Sequence, residues 1–331
     1  MSGSLPAFTT ALSRCRRVLL TTHVRPDGDA IGTLAALFLA LGQKGIDAQV
    51  LLLSRLPSKY AFVFDDCSIR HLEATDGLPA GFDPDRFDGL LVVDTGTWSQ
   101  LPFLREVFEH WNRPKFILDH HVTQEEWATF QLVDASAAAA GEVAAELLRS
   151  WGVRLDRTIA TSLYVALVSD TGWFQFANTR PFTLRLAAEL MELGVDTDRL
   201  NLLLNCSERK ERLFLQTRAL QSLQLLDRER LATMTLTRQD FLETGAQVPA
   251  TENLVNVPLQ IGSVQVSVLF VEPPEGGPVR ISLRSKGGLD CARFAQQFGG
   301  GGHARAAGIK LEAPLAQAID RICCALMDPS A

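Results

Sequence analysis

The stretch HVRPDGDAIGT, residues His23–Thr33, constrains the fold more than any other part of the sequence. The apolar residues 18–22 before it are typical of a buried strand, and residues 30–39 after it are typical of a helix. The stretch therefore places a histidine and two aspartates, Asp27 and Asp29, at a strand-to-helix turn. Asp29 is predicted to cap the helix, whose N-terminus favours negative charge. Two carboxylates this close repel each other unless a cation lies between them, so we predict a metal site at this turn.

Two later segments repeat the pattern of an apolar strand that ends in polar residues. They are residues 88–96, DGLLVVDTG, and residues 115–121, KFILDHH. Strands that alternate with helical segments predict an α/β fold with a mostly parallel, doubly wound sheet. Ligands bind such sheets at the carboxyl ends of the strands. We therefore expect the polar side chains that follow these strands to converge at one edge of the sheet.

The candidate metal ligands are carboxylates and imidazoles: His23, Asp27, Asp29, Asp94, His120 and Asp170. Asp170 ends an apolar helical segment and, taken alone, is typical of a turn. This ligand set suits Mn²⁺ or Mg²⁺ better than structural Zn²⁺. Four carboxylates and two imidazoles exceed the needs of one ion, so we predict two ions that share an aspartate. Such a pair activates water and stabilises charge on a phosphoryl oxygen, which predicts hydrolysis of a phosphate ester or anhydride.

Two residues beside His120 are candidates for catalysis, namely Asp119 and His121. His121 would lie close to a bound phosphate, where its imidazolium form could stabilise charge or protonate a leaving group. The alternative is that one of the adjacent histidines only packs against the end of the strand.

The sequence changes to a β-rich texture from Glu229 onward. We predict a metal-binding catalytic domain at residues 1–194, a charged helical linker at 195–228, and a smaller α/β domain at 229–331. The second domain contains the glycine-rich segment GGGGHARAAG, residues 299–308. Its glycines would let backbone N–H groups approach a phosphate closely, the alternative being a flexible loop.

The glycine-rich segment lies in a locally basic stretch between residues 278 and 310. Its cationic residues are Arg280, Arg284, Lys286, Arg293, Arg305 and Lys310, whereas Asp290 is its one acidic residue. Arg284 lies on a predicted strand and could bind a phosphate bidentately. We therefore predict that the second domain grips a phosphate or nucleotide.

Charge and cysteine content limit the partners and the location. The net charge of −6 argues against a protein that coats long nucleic acid, including long duplexes, because such binding needs many phosphate contacts. The six cysteines form no CxxC pair, which argues against zinc ribbons and suits a reducing cytoplasm. No signal-peptide pattern and no apolar run long enough to span a bilayer is present, so no membrane partner is expected.

The motifs, taken in order, resemble those of a known family. HVRPDGDAIG, LVVDTG, LDHH and LVSDTGWF resemble the successive motifs of the DHH phosphoesterases. ISLRSKG followed by GGGGHARAAG resembles the associated DHHA1 domain. The resemblance covers essentially the whole chain, and the layout is similar to that of the oligoribonuclease and 3′-phosphoadenosine-5′-phosphate phosphatase type. It implies hydrolysis of short oligonucleotides or phosphorylated nucleotides in a cytoplasmic enzyme, with a homodimer as a possible assembly.

The resemblance also implies a role for each motif residue at a centre of two Mn²⁺ ions, with Mg²⁺ as an alternative. One ion would be held by His23, Asp27 and Asp94, and the other by Asp29, Asp94, His120 and Asp170. His121 would contact the scissile phosphate. The substrate would also meet residues outside the metal centre: Arg25, Arg284, Ser285, Gly300, Gly301, Gly302 and His303. Of these, Arg284 and His303 would contact its far end.

The sequence departs from the family pattern at two places. Arg25 stands where many relatives have Asn, and residues 122–124, VTQ, follow the DHH motif where relatives often have Asn. Neither position is a predicted metal ligand, so these departures bear on substrate preference more than on catalysis.

Four other functions share parts of this pattern. A manganese pyrophosphatase should lack GGGGH, and a long-strand exonuclease usually carries further nucleic-acid-binding domains. A phosphodiesterase acting on cyclic or linear dinucleotides would share both domains, but the cyclic type usually has membrane and sensory segments. A non-catalytic nucleotide sensor should have lost metal ligands, whereas all six candidates are present.

Overall fold

The computed structural model describes residues 4–327, and the chain divides into two compact units, Met1–Ser207 and Glu208–Ala331. The division falls inside the segment predicted as a linker, residues 195–228. Among the described residues, no helix has the length and apolar character that crossing a membrane requires.

The first unit contains a six-stranded sheet whose neighbouring strands are all parallel. Its strands are β1 (Arg17–Thr22), β2 (Asp47–Leu52), β3 (His71–Glu73), β4 (Gly89–Val93), β5 (Lys115–Asp119) and β6 (Phe130–Val133). They lie in the order β3-β2-β1-β4-β5-β6. The order reverses between β1 and β4, so the carboxyl ends of these strands form the topological switch point of the sheet. This topology confirms the predicted α/β class and the parallel sheet.

Helices cover both faces of this sheet. They are α1 (Leu5–Leu12), α2 (Gly28–Gln43), α3 (Ala61–Asp66), α4 (Leu104–Phe108), α5 (Ala140–Ser150), α6 (Arg157–Asp170), α7 (Pro181–Glu192) and α8 (Thr197–Asn205), with 3₁₀ helices at Ser58–Tyr60, Pro84–Arg86 and Trp98–Gln100. Val18 and Leu20 of β1 belong to the apolar core under α1, α2, α5 and α6, whereas Leu19 belongs to the core under α4. This alternation follows from the two-residue period of a strand and explains why the strands are apolar on both faces.

Helices α2 and α6 approach each other closely because α2 carries glycine where they meet. A Cβ atom on Gly32 would lie 2.3 Å from the carbonyl oxygen of Ser162. A Cβ atom on Gly28 would lie 1.9 Å from Oγ of Ser169. A side chain at either position would force the helices apart, so these glycines set the distance between the first turn of α2 and the end of α6, which carries Asp170.

The second unit contains a six-stranded sheet of mixed direction. Its strands are β7 (Gln224–Leu226), β8 (Leu231–Leu236), β9 (Val266–Val271), β10 (Val279–Ser285), β11 (Gly301–His303) and β12 (Ala306–Leu311), in the order β11-β12-β10-β9-β8-β7. Strands β8 and β9 are parallel and the other neighbours antiparallel. Its helices are α9 (Lys210–Gln221), α10 (Arg238–Thr244), α11 (Cys291–Gln296) and α12 (Leu315–Met327), with 3₁₀ helices at Val248–Thr251 and Leu254–Gln260.

Two segments of this unit form strands because they pair with a neighbouring strand. Residues 224–226, which fall in the predicted linker, pair with residues 231–233 and form β7. In the glycine-rich segment, residues 301–303 pair with residues 306–308 and form the edge strand β11. The alternative of a flexible loop is therefore wrong for this part of the segment.

Candidate metal centre and active site

The predicted metal ligands gather at the carboxyl edge of the parallel sheet, around its switch point. They follow the ends of β1, β4 and β5 or end helix α6: His23, Asp27, Asp29, Asp94, His120 and Asp170. Because β1 pairs with β4 and β4 pairs with β5, the residues that follow these strands are neighbours in space although far apart in sequence.

Asp94 lies at the centre of this cluster and contacts three imidazole rings. Its side chain is 3% exposed. The Nε2 atoms of His23 and His120 each lie 3.4 Å from an Asp94 carboxylate oxygen, and Nδ1 of His121 lies 3.7 Å away. The backbone of Asp94 has a left-handed φ of 60°, which is uncommon for a residue with a Cβ atom and recurs at functional sites.

Three sets of side chains each bring one potential ligand atom per residue within 4.8 Å of one another. The first set is His23, Asp27 and Asp94; the second set is Asp29, His120 and Asp170; the third is Asp94, His120 and His121. The first and second sets together contain all six predicted ligands. The third set links them, because Asp94 also belongs to the first set and His120 to the second.

The two aspartates that follow β1 are held by the N-termini of different helices. Oδ1 of Asp27 accepts the backbone N–H groups of Asp29 (3.0 Å) and Ala30 (3.1 Å), so Asp27 caps α2. The prediction that Asp29 caps α2 is wrong, because the helix already begins at Gly28. The buried Asp29 carboxylate instead accepts the N–H groups of residues 140 (2.5 Å) and 141 (3.0 Å), which begin α5.

Backbone carbonyl groups orient both ligand histidines. Nδ1 of His23 lies 3.1 Å from the carbonyl oxygen of Val24, and Nδ1 of His120 lies 3.2 Å from that of Ala137. Their Nε2 atoms therefore face the carboxylates of the cluster. His120 Nε2 and Asp94 Oδ1 are buried and lie 3.4 Å apart, and neither forms a hydrogen bond of normal geometry with any residue from 4 to 327. Buried polar atoms normally have partners, and imidazole with carboxylate suits a divalent cation, so these residues fit a metal centre.

Burial and the crowding of acidic groups shift the pKa values of the side chains in the cluster. Burial among protein atoms, followed by the charges of Asp94 and Asp170, raises the pKa of Asp27 to about 6, although the residue is still exposed to solvent. The same causes raise the pKa of the fully buried Asp29. Burial lowers the pKa of His120, but interactions with Asp170 and Asp94 outweigh burial and raise this pKa to about 12. The cluster therefore favours a compensating positive charge.

Asp119 is fully buried behind His121 and orients it. Its Oδ1 accepts hydrogen bonds from Nδ1 of His121 (2.8 Å) and from the backbone N–H groups of His120 (2.7 Å) and His121 (3.2 Å). The hydrogen bond with Asp119 raises the pKa of His121, whose side chain is 54% exposed. Asp119 thus holds the His121 ring through Nδ1 and not through Nε2.

Gln124 contacts both Asp119 and His121, a contact that the sequence interpretation missed. Its Nε2 donates to Oδ2 of Asp119 (2.5 Å) and to the carbonyl oxygen of His121 (3.0 Å). The sequence did contain a signal for this residue, because Gln124 lies in residues 122–124, which depart from the family pattern. Its two contacts join Asp119 to the backbone of His121.

In the second unit, strand register places Arg284 and His303 on the same face of the sheet. Arg284 pairs with Ala306, which pairs in turn with His303. The two residues are two strands apart, which corresponds to roughly 10 Å across the sheet. The adjacent row on this face consists of small residues: Ser282, Gly308 and Gly301. A flat ligand could therefore approach the sheet between Arg284 and His303.

The other predicted substrate-binding residues lie elsewhere. Ser285 lies on the buried face, where its Oγ accepts the N–H of Gly287 (3.1 Å). A Cβ atom on Gly300 or Gly302 would lie 2.3 Å from a carbonyl oxygen of β12, so both glycines permit the close pairing of the edge strand. Arg25 follows β1 in an exposed loop, with a left-handed φ of 56°.

Comparison with known proteins finds a matching family description for each of the two units. Residues 17–167 match the family described as "DHH family, N-terminal domain", and residues 232–327 match the "DHHA1 domain". The protein is 31% identical over 313 residues to the "Bifunctional oligoribonuclease and PAP phosphatase NrnA" of Thermus thermophilus, covering 92% of this chain and 87% of that one. The Bacillus subtilis protein of the same name is 28% identical, with 89% of each chain covered.

A solved structure supports the fold independently. An exopolyphosphatase-related protein from Bacteroides fragilis superimposes with a TM-score of 0.87 and 23% identity, covering 97% of this chain and 95% of that one. The fold and the carboxylate–imidazole cluster define a metal-dependent phosphoester hydrolase. The chain belongs to the DHH family and carries its DHHA1 domain.

Proposed function

We propose that this protein hydrolyses short oligonucleotides and removes a phosphate from 3′-phosphoadenosine 5′-phosphate (PAP). The observation that carries the proposal is the contact of Asp94 with three imidazole rings, through which the first and second ligand sets are linked. The names of the Thermus thermophilus and Bacillus subtilis relatives, which state both activities, support the choice of substrates.

The two ligand sets would hold two divalent ions, Mn²⁺ by preference and Mg²⁺ as the alternative. When bound, such ions supply Lewis acidity toward water and phosphoryl oxygens. The first set would hold one ion and the second set the other. Asp94 belongs to the first set, and its Oδ1 lies 3.4 Å from His120 of the second, so we assign it to both ions.

His121 is the residue we assign to the scissile phosphate. Its Nδ1 is fixed by Asp119 at 2.8 Å, and the ring is half exposed. From there Nε2 can stabilise charge on a phosphoryl oxygen or donate a proton to the leaving oxygen. Asp119 and Gln124 hold the ring in the orientation that this role requires.

The second unit would bind the part of the substrate that does not react. Arg284 can form paired, charge-assisted hydrogen bonds with a phosphate, and His303 lies on the same sheet face. The net charge of −6 leaves a long duplex as an unfavourable partner. A homodimer stays a prediction, which the molar mass in solution would test.

The test is side-by-side turnover of five substrates by chelated protein to which Mn²⁺ or Mg²⁺ is restored. The substrates are a linear dinucleotide, a pentanucleotide, a long single strand, PAP and a cyclic dinucleotide. We expect Mn²⁺-dependent release of mononucleotides from the short strands and of phosphate from PAP. Turnover confined to linear or cyclic dinucleotides would favour a dinucleotide phosphodiesterase instead, and full activity in excess chelator would contradict a metal-dependent mechanism.

A further inference from the structure

The second ligand set depends on one short segment of chain, residues 137–141, between β6 and the first turn of α5. The carbonyl oxygen of Ala137 orients Nδ1 of His120 at 3.2 Å. The N–H groups of residues 140 and 141 bind Asp29 at 2.5 and 3.0 Å. Nδ2 of Asn178 donates to the carbonyl oxygens of residues 138 and 170, both at 3.0 Å, and so joins this segment to Asp170. All three members of the second set are therefore tied to it.

The buried carboxylate of Glu142 holds this segment in place. Glu142 is 1% exposed. Its Oε2 accepts the N–H of Ala138 at 3.2 Å and two N–H groups of Arg180 at 2.9 and 2.5 Å. Its Oε1 accepts the hydroxyl of Thr183. Arg180 also donates to Oγ of Ser136 at 2.9 Å, so the ion pair contacts the residue that precedes the segment as well.

We infer that the Glu142–Arg180 ion pair is a positioning device for one ion of the metal centre, the ion held by Asp29, His120 and Asp170. In the first set, His23 is oriented by the carbonyl oxygen of Val24 and Asp27 by the N-terminus of α2, neither of which belongs to this segment. Loosening the segment should therefore weaken one ion site selectively. This inference rests on the two-ion centre proposed above.

The energetic reason is that a buried carboxylate needs its partners. Glu142→Gln removes the charge that pairs with Arg180 and leaves one acceptor oxygen where two accept from Ala138, Arg180 and Thr183, so the segment loses part of the contacts that fix it. Loss of a partner that orients a metal ligand typically lowers metal affinity by about tenfold to a hundredfold. We expect a loss of this size for the second ion in Glu142→Gln and in Arg180→Lys.

The test is titration of chelated full-length protein with MnCl₂, followed by calorimetry and by the electron paramagnetic resonance signal of coupled Mn²⁺ pairs. Two reference variants identify the binding steps. Asp170→Asn removes a ligand of the second set and Asp27→Asn removes one of the first, so the step that each variant weakens belongs to that set. We expect Glu142→Gln to reproduce the Asp170→Asn pattern, with the first ion bound as in the wild type and the paired signal reduced. Asn178→Ala should shift the same step, and because Asn178 is exposed this variant should fold even if Glu142→Gln does not.

The exposed Arg149–Glu189 ion pair provides a matched control because it also joins α5 to α7. Glu189→Gln should leave both ion affinities unchanged. Equal weakening of both ions in Glu142→Gln, or unchanged binding in folded Glu142→Gln and Asn178→Ala, would overturn the positioning role. A wild type that binds a single ion would instead overturn the two-ion centre itself, and with it the inference.

Discussion

Asp94 combines three features that bear on its role. It is buried, it has a left-handed backbone, and it lies against three histidines. The left-handed conformation turns the chain sharply where β4 ends, so that the carboxylate faces the cluster. Such backbone strain is retained only where the surrounding structure fixes it, which is common at functional sites. The left-handed backbone of Asp94 therefore goes with its contacts in the cluster, because it adds nothing to the stability of strand β4.

Asp94→Asn tests the role of this charge without disturbing the backbone. Asn tolerates the left-handed region as Asp does, so the fold should be kept. We expect loss of tight Mn²⁺ binding at both ion sites and a fall in kcat/KM of at least about a hundredfold, or roughly 3 kcal/mol. Calorimetric Mn²⁺ titration and dinucleotide turnover measure these effects. Asp47→Asn, at a largely exposed aspartate of the same unit, should change neither; wild-type turnover in Asp94→Asn would refute the bridging assignment.

Asp119 and His121 should behave as one functional unit. His121→Ala is expected to lower kcat by about 10²–10⁴-fold, the usual contribution of a positioned proton donor. Asp119→Asn should have a similar effect because it misorients the ring, and the double variant should be little worse than either single one. Mn²⁺ stoichiometry should stay at two in all three. Additive losses in the double variant would show that Asp119 acts independently of His121.

The contact between α2 and α6 is expected to be as important for the site as for stability. Gly32→Ala places a methyl group 2.3 Å from a carbonyl oxygen of α6, which must then move away. Overpacking of this kind costs roughly 1–3 kcal/mol, and displacement of α6 should also weaken the ion that Asp170 holds. Denaturant unfolding and Mn²⁺ titration measure the two effects.

Gly42→Ala is the matched control, because it lies in the same helix and its added methyl group would meet nothing within 4 Å. It should stabilise the protein by up to about 1 kcal/mol, since Ala favours a helix more than Gly does. If Gly32→Ala were as stable as Gly42→Ala, the close packing of α2 and α6 would not require glycine at position 32.

The elements were predictable from sequence where a local pattern determines them. Strands β1, β4 and β5 are apolar runs that end in polar residues, and the parallel topology brings those residues to one edge. The same two-residue period could have placed Ser285 on the buried face, since it follows Ile281 and Leu283 at alternate positions. By contrast, the attachment of Asp29 to α5 and the pairing of Glu142 with Arg180 depend on helices that meet only in the folded chain. No sequence spacing predicts such contacts.

The charge of the whole protein should favour short substrates. A protein of net charge −6 offers no extended basic track along which a long strand could bind. We expect strands of about two to five nucleotides to be hydrolysed faster than long single strands, compared at equal concentrations of ends. Initial rates over a length series measure this preference, and faster turnover of the long strands would contradict it.

The division of work between the units is tested by variants of the second one. The predicted ligands all lie in the first unit, so Arg284→Ala and His303→Ala should leave Mn²⁺ binding intact. Under the proposed function, both changes would remove contacts to a part of the substrate that does not react. If those contacts only hold the substrate, the loss appears in KM; if they also align it for attack, kcat falls as well. Loss of a charge-assisted contact costs about 1.5–3 kcal/mol, or roughly tenfold to a hundredfold in kcat/KM.

The measurement is kcat/KM for a dinucleotide and for a small generic phosphodiester in wild type and both variants. The generic ester is too short to use contacts outside the metal centre, so we expect it to be nearly indifferent to both changes. Arg280→Ala is the matched control, since Arg280 lies on the same strand and face as Arg284 but is 47% exposed and pairs with Glu275. Equal losses on both substrates would mean that Arg284 and His303 act at the metal centre itself, because only there does the generic ester bind.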